Sequence, residues 1–262
     1  MSEERKKYLR KQKFNKILVL GSQILILVVF LGLWEFLANK GIIDSFITSS
    51  PSRIMNIFKN FSSNNLFMHI RVTVYETILG FGIGIVIGVV IAIILWWSDF
   101  LSKVFEPYLV VLNSLPKVAL GPIIIIWVGA GTKAIIVMAI AISLIVTILD
   151  ILNGFLNTDK DLIKMARTFG ASKVQVLTKI VIPANISTFI NSLKINIGLS
   201  LVGVISGEFL ISKAGLGYLI TYGGQVFKLD LVMSSIIILG IFAGLMYGAV
   251  TILEKIILKT KA

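Results

Sequence analysis

The sequence predicts an all-α, polytopic membrane protein, a helical bundle with six transmembrane helices. Of the 262 residues, 56% are hydrophobic and 15% are charged, and the mean hydropathy is +0.95. This composition is too apolar for a soluble domain of that length. Six apolar stretches also approach the length of about 20 residues that a helix needs to cross a bilayer.

The first part of the chain combines one span with polar flanks. A basic tail, residues 1–16, holds seven Lys or Arg. Residues 17–38 follow as the first transmembrane helix, because the apolar run is longer than that of a signal peptide and no cleavage site is clear. Residues 39–71 are expected to form an extracytoplasmic connector, in which an amphipathic helix beginning at Pro51 lies along the membrane surface.

Residues 72–255 are expected to form the core of the protein, and residues 256–262 a cytoplasmic tail. The second and sixth spans each contain three Gly residues spaced four apart. This pattern lets a neighbouring helix approach closely in lipid. We therefore expect helix packing through both rows, which consist of Gly80, Gly84, Gly88, Gly240, Gly244 and Gly248.

The third span, about residues 105–128, is interrupted by Pro116, which removes a helical hydrogen bond. Lys117 follows it, and a Lys in a broken intramembrane helix is a candidate for a functional site. The alternative is a Lys that snorkels or pairs structurally. Asn113 and Ser114 directly precede the break and are further candidates for this functional site.

Near the far end of the fifth span, Glu208 is either a functional carboxylate inside the bundle or a residue at the membrane interface, and the nearby Lys213 favours the interface. The Gly-rich stretch 214–224 is expected to form a turn. It is no phosphate loop, because it lacks the Lys-Ser/Thr ending and follows a membrane helix. No Walker sequence, catalytic triad or metal set occurs, so neither enzymatic activity nor a cofactor is expected. The chain has no Cys, which excludes disulfides and thiolate metal sites, and its one His cannot form a metal cluster alone.

The longest polar segment of the second half runs from Asn157 to Pro183, and we call it the 157–183 loop. It has seven charges, five of them basic. Thr158 and Ser172 each precede an acidic or amide residue at capping-box spacing, and Gly170 is placed to end the first of two short helices. A charged helix-Gly-helix between two spans predicts a docking element for a soluble partner.

The distribution of charge predicts the topology. If the N-terminus is inside, the inner segments contain 16 Lys or Arg and the outer segments contain 7. The positive-inside rule then places both termini and the 157–183 loop in the cytoplasm. The net charge of +12 is therefore attributed to topology and lipid headgroups rather than to binding of nucleic acid.

Two stretches resemble a known family. Within the 157–183 loop, Ala166 to Ala171, Ile180 and Pro183 resemble the "EAA" loop of bacterial ATP-binding-cassette (ABC) importer permeases. Lys164 and Met165 replace the Glu and the first Ala of that motif. The run LNSLPKVALGPIIIIWVG at residues 112–129 is similar to the nitrate, sulfonate, taurine and thiamine-precursor branch of these permeases.

The resemblance implies a type I importer permease (MetI-like) fold and a multi-pass protein of the cell membrane. A separate pair of ATPase subunits would dock on the loop, and an extracytoplasmic solute-binding protein would deliver a small anion or a pyrimidine vitamin precursor. The path would lie between two copies, in a homodimer or a close heterodimer. The residues implied in coupling to the ATPase are Asp161, Lys164, Ala166, Arg167, Gly170 and Ala171, and those favoured for the path are Asn113, Ser114, Lys117 and Glu208.

The main alternative is an ion-coupled secondary transporter or a channel, which would use carboxylates near the middle of the membrane. The residues Glu76, Glu208 and Glu254 all lie toward the ends of spans, which disfavours that class. A membrane scaffold without transport is weaker still, because it has no need of a broken helix.

Overall fold

The computed structural model describes residues 3–59 and 65–259, and this part of the chain contains helices and no strand. The predicted all-α class is therefore confirmed. The α-helices in chain order are α1 (Glu3–Asn39), α2 (Ser45–Thr48), α3 (Pro51–Lys59), α4 (Leu66–Trp97), α5 (Asp99–Ser114), α6 (Gly121–Val128), α7 (Thr132–Leu156), α8 (Lys160–Thr168), α9 (Lys173–Val176), α10 (Ile182–Ala184), α11 (Ile186–Ile211), α12 (Leu216–Gln225) and α13 (Leu229–Lys259).

Within the described residues, five segments are long and apolar enough to cross a membrane. They are Arg10–Asn39, Leu66–Trp97, Thr132–Leu156, Ile186–Ile211 and Leu229–Ile257. A sixth crossing is available if Asp99–Ser114 and Lys117–Val128 are counted as one span that is bent by 89°. The predicted count of six and the predicted interruption of the third span both agree with this arrangement.

The first of two compact units contains residues up to 59 together with residues 223–234. The apolar side chains of α1 are exposed along most of its length, as expected of a helix that faces lipid. In α3, Ile54 is buried and Arg53 forms a 2.9 Å salt bridge with Asp230. Glu35 accepts a hydrogen bond of 3.0 Å from the backbone N–H of Ser52. These contacts fix α3 within its unit.

The second unit contains residues 65–222 and 235 onward, and its centre is the packing of α4 and α11 against α7. Ala139 on α7 is fully buried. A Cβ atom at Gly203 of α11 would lie 2.5 Å from the Cα of Ala139, and one at Gly80 of α4 would lie 2.6 Å from its Cβ. Both neighbouring helices therefore approach α7 as closely as glycine permits.

The two predicted glycine rows differ in the structure. A Cβ at Gly84 would lie 2.8 Å from Ser143 Oγ, and one at Gly88 would lie 2.6 Å from Thr147 Cγ2. The row on α4 therefore lies in close contact with α7. In the row on α13, by contrast, a Cβ at each glycine would meet no described atom within 4 Å; these are Gly240, Gly244 and Gly248.

The predicted Gly-rich turn at 214–224 is also wrong over most of its length. Gly215 alone in this stretch has a positive φ, +114°, and α12 begins at the next residue. Tyr222, Gly223 and Gly224 continue that helix. The helix forms because buried acceptors, described below, receive its first backbone N–H groups.

Replacing Gly203 by Ala should destabilise the protein, because the new methyl group meets the backbone of α7, which cannot rotate away. The expected loss is about 1–3 kcal/mol, as for other overpacked cores. Gly244→Ala is the matched control, because that site is open and Ala favours a helix. Thermal midpoints of the two purified variants in detergent check this. Equal midpoints would contradict the close packing.

Candidate functional site

The 157–183 loop begins with a cap that the sequence pattern misassigned. Asp159, not Thr158, is the N-cap of α8, and its carboxylate accepts a 2.8 Å hydrogen bond from the N–H of Asp161. The Thr158 hydroxyl donates instead to the carbonyl of Gly154 and accepts from the Asn185 amide. Thr158 is buried, so it joins the two ends of the loop and cannot cap α8.

The turn between the two loop helices forms as predicted. Gly170 has φ +81°, a conformation that strains other residues. Its neighbour Ala171 donates a 3.0 Å hydrogen bond to the carbonyl of Ala166. Ser172 and Gln175 then form a complete capping box at the start of α9. The second predicted capping box is therefore confirmed, and the backbone between α8 and α9 is well defined by hydrogen bonds.

The six candidate coupling residues lie on two sides of this element. Asp161, Lys164, Arg167 and Gly170 are exposed, and the first two form an exposed ion pair of 3.5 Å. Ala166 and Ala171 are half-buried and pack against the apolar cluster that contains Val176, Leu177 and Val181. The loop thus has one face toward the core and one face toward solvent.

Phe169 is a residue of this loop that was not among the predicted coupling residues. Its side chain is 84% exposed, and it borders a groove of about 350 Å³ with Ala166, Gln175 and Lys179. Large aromatic side chains are frequent anchors of protein interfaces. The sequence did contain a signal for this residue, because an aromatic side chain directly before the helix-ending Gly of a charged loop is a candidate for an interface anchor.

Lys173 attaches the loop to the end of α4. Its ammonium donates a hydrogen bond to the carbonyl of Trp97. It also lies 5.3 Å from the ring centroid of Trp97 and 5.9 Å from that of Trp96, within the range of cation–π attraction. Trp96 in turn packs edge-on against Phe155 of α7. The loop is therefore connected to both neighbouring spans.

A wide helical turn from Leu177 to Val181 leads from α9 into α10. Turns of this π type are rare and are frequent at functional sites. Leu177 and Val181 are buried in the same cluster as Trp96 and Phe155. The second half of the loop is therefore part of the helical core.

At the break between α5 and α6, Lys117 donates two hydrogen bonds to Asn113, of 3.0 Å to its carbonyl and 3.1 Å to its side-chain oxygen. Lys117 thus satisfies a carbonyl freed at the end of α5. Ser114 donates to the carbonyl of Val110. Asn113 and Ser114 are exposed. The structure brings these three path candidates together.

Glu208 lies apart from them, and the expected position at an interface beside Lys213 is wrong. The side chain is 1% exposed. It accepts hydrogen bonds from the Thr73 hydroxyl, at 2.6 Å, and from the N–H of Gly217. A carboxylate that has lost water needs such donors, and here α4 and the start of α12 supply them. It therefore contacts protein on all sides in this conformation.

The neighbours of Glu208 were not among the predicted site residues. Thr73 also accepts from the N–H of Leu216, and His69 Nδ1 accepts from that of Gly215. Glu76 is buried beside Glu208, and its oxygens make no hydrogen bond of normal geometry within the described chain. This cluster holds the first turn of α12 against α4.

Comparison with known proteins gives a consistent result. Residues 84–260 match the family described as "Binding-protein-dependent transport system inner membrane component". A Haemophilus influenzae protein assigned as an ABC transporter permease is 30% identical over 82% of this chain and 88% of its own length. A Bacillus subtilis permease protein assigned to aliphatic sulfonates transport is 25% identical, over 90% and 86%.

The chain is also similar to a permease assigned to a different solute and to a solved structure. The formylaminopyrimidine transport permease of Halalkalibacterium halodurans is 25% identical over 89% of this chain and 93% of its own length. Among solved structures, a chain of the inward-facing MetNI methionine ABC transporter matches with a TM-score of 0.64 and 20% identity, over 72% of this chain and 94% of that one. The structural match confirms the predicted MetI-like fold.

Replacing Lys173 by Ala should loosen the 157–183 loop, because the contacts with Trp96 and Trp97 are lost. We expect backbone amides of residues 171–176 to exchange hydrogen about threefold faster. Lys164→Ala is the control, since it removes only an exposed ion pair. Hydrogen exchange followed by mass spectrometry measures both. Equal exchange in the two variants would contradict the attachment.

Proposed function

This chain belongs to the family of inner membrane components of binding-protein-dependent transport systems, and from that premise we propose how its 157–183 loop and its broken helix work. It is a multi-pass membrane protein and the permease subunit of an ABC importer, a transport component rather than an enzyme. The proposals concern the surface that receives the ATPase, the wall of the path, the solute class and the orientation in the membrane.

We propose that an ABC ATPase subunit docks on the exposed face of the 157–183 loop. The observation that carries this proposal is the exposure of Phe169 beside a groove, on a segment whose other face is buried. Asp161, Lys164 and Arg167 surround this aromatic side chain with charges, as at the polar rim of an interface. Gly170 and Ala171 are small residues and leave room for a partner. Ala166 packs α8 against the buried apolar cluster on the other face of the loop.

Movement of the ATPase would reach the spans through the buried half of the loop. Lys173 is attached to the end of α4, and Val181 is packed in the same cluster as Phe155 of α7. A closely packed core transmits a displacement instead of absorbing it. Rocking of these helices would then open the path alternately to each side of the membrane.

We propose that Asn113, Ser114 and Lys117 form part of the path wall. An ammonium group has three N–H donors, and the two hydrogen bonds to Asn113 leave one for a solute. The break in the helix also exposes polar atoms that hydrocarbon would not accept. Glu208 is not included, because its carboxylate is fully engaged inside the protomer.

The proposed solute is a small polar organic molecule, either a sulfonate-like anion or a pyrimidine vitamin precursor. One similar protein is assigned to aliphatic sulfonates and another to formylaminopyrimidine, which supports this range. Lys117 provides a positive charge for an anionic group. An extracytoplasmic binding protein would deliver the solute, and a second copy of the chain would complete the path. Lipid would cover the exposed apolar faces.

Docking is tested by Phe169→Ala in the tagged chain, isolated with gentle detergent. The wild type should recover an ATPase at about one copy per permease. Loss of an aromatic anchor should weaken that complex by about 2 kcal/mol, or about thirtyfold in Kd, with a matching loss of ATP-driven uptake in vesicles. Phe67→Ala is the control, because Phe67 is 69% exposed at the opposite end of α4. Full ATPase recovery with Phe169→Ala would disprove this surface.

The proposed orientation places both termini in the cytoplasm, as the excess of basic residues in the inner segments requires. Green fluorescent protein fused at either end should therefore fluoresce in a bacterial host, whereas alkaline phosphatase fused at the same points should be inactive. Active phosphatase at either terminus would contradict this topology.

A further inference from the structure

A polar groove of about 420 Å³ lies between the loop-side ends of α7 and α11. Amide, hydroxyl and carboxylate groups dominate its lining, which includes Asp150, Asn153, Asn157, Asn185, Thr188 and Asn191. No Lys or Arg occurs in this lining. The groove belongs entirely to the second compact unit. It lies next to the start and the end of the 157–183 loop.

The floor of the groove is closely packed. A Cβ atom at Gly154 would lie 2.8 Å from the side-chain oxygen of Asn185, so the two helices are in close contact there. The Asn185 amide nitrogen donates to the Thr158 hydroxyl at 2.8 Å and to the Val181 carbonyl at 2.9 Å. Since Thr158 and Val181 belong to the 157–183 loop, the floor and the loop move together.

The walls of the groove, in contrast, present uncommitted polar groups. Asn153, Asn157 and Asn191 are exposed and make no side-chain hydrogen bond within the described chain. Asp150 is half-buried, and the side chain of Ser192 lies beside its carboxylate. The Oδ2 atom of Asp150 is buried and receives no hydrogen bond of normal geometry from the described residues. An oxygen in that state can accept a further hydrogen bond, which would compensate for its desolvation.

Asp150 and Asn153 lie on the span α7 and Asn191 lies on the span α11, whereas Asn157 and Asn185 lie just outside these spans. Amides and a carboxylate are costly against hydrocarbon, and ionisable residues inside spans normally face a water-filled cavity or the bundle interior. Two asparagines and an aspartate on these spans are therefore unfavourable on a lipid-facing surface. The groove must be open to water or to a polar ligand.

We propose that this groove is a contact site for the transported solute on the cytoplasmic side, and that the solute has an amino or ammonium group that binds Asp150. The proposal rests on the importer function and narrows its solute class. A plain sulfonate or nitrate would meet a carboxylate with no adjacent cation, which is unfavourable. An amino group donates to Oδ2 of Asp150, and the Asn amides bind the remaining donors and acceptors of the solute.

Water access is tested with single cysteines, since the native chain has no Cys. Asn153→Cys and Asn191→Cys are introduced into the chain in complex with its ATPase, in inside-out vesicles. A membrane-impermeant maleimide should label both at least about tenfold faster than Leu245→Cys, because thiolates form in water. Leu245 is 67% exposed on the apolar surface of α13. Labelling as slow as that of the control would overturn the proposal.

The solute class is tested by protection of Asn153→Cys from the same reagent. Two pairs of probes, each at millimolar concentration, differ by an amino group: taurine against ethanesulfonate, and 4-aminopyrimidine against pyrimidine. The amino member of at least one pair should slow labelling by about threefold or more relative to its partner. Equal protection within both pairs would overturn the assignment of Asp150.

Asp150→Asn, combined with Asn153→Cys, should abolish the difference in protection between the amino probe and its partner. Asp99→Asn, which alters an exposed carboxylate elsewhere, should preserve that difference. A difference that persists in Asp150→Asn would also overturn the proposal. Recovery of the ATPase with each variant is recorded separately. If the proposed importer function is wrong, no ATPase is recovered with the chain. The labelling result, which does not depend on that recovery, still tests the groove.

Discussion

The close approach of α4 and α11 to α7 at Ala139 is the contact on which the rest of the second unit depends. Gly80 and Gly203 bring their helices against the same residue from two sides, at separations that no larger side chain would allow. In lipid, such packing replaces the hydrophobic effect as the force that joins helices. Because the 157–183 loop connects the end of α7 to the start of α11, the positions of both loop ends follow from this contact.

The 157–183 loop combines a hydrophilic surface with the packing of a core element. Its outer face carries charges around Phe169, whereas Val176 and Val181 are fully buried in the cluster below. A partner that binds the outer face therefore acts on α4 and α7 without an intervening flexible segment. Thr158 and Asn185 connect the two ends of the loop to each other, so a displacement of the loop also reaches the polar groove between α7 and α11.

Polar groups within the spans fall into two kinds, and the distinction separates structure from function. Glu208 receives hydrogen bonds from Thr73 and Gly217, and it serves to hold α12. Asp150 has an oxygen without a donor, in a groove with room for a ligand. Lys117 is intermediate, since Asn113 occupies only two of its three donors. The uncommitted donors and acceptors that line the groove or the helix break are the ones that a passing solute could use.

The sequence by itself determined the spans, the break at Pro116, the turn at Gly170 and the capping box at Ser172. Each depends on apolar length or on the backbone preference of one residue, and such local causes are visible without the fold. The tertiary structure decided which glycine row is packed, because the absence of a Cβ permits a close approach but does not supply the neighbouring helix. It also decided the roles of Glu208 and Thr158. Their partners come from other helices or from the preceding turn, and only the folded chain determines which of these lies within hydrogen-bonding distance.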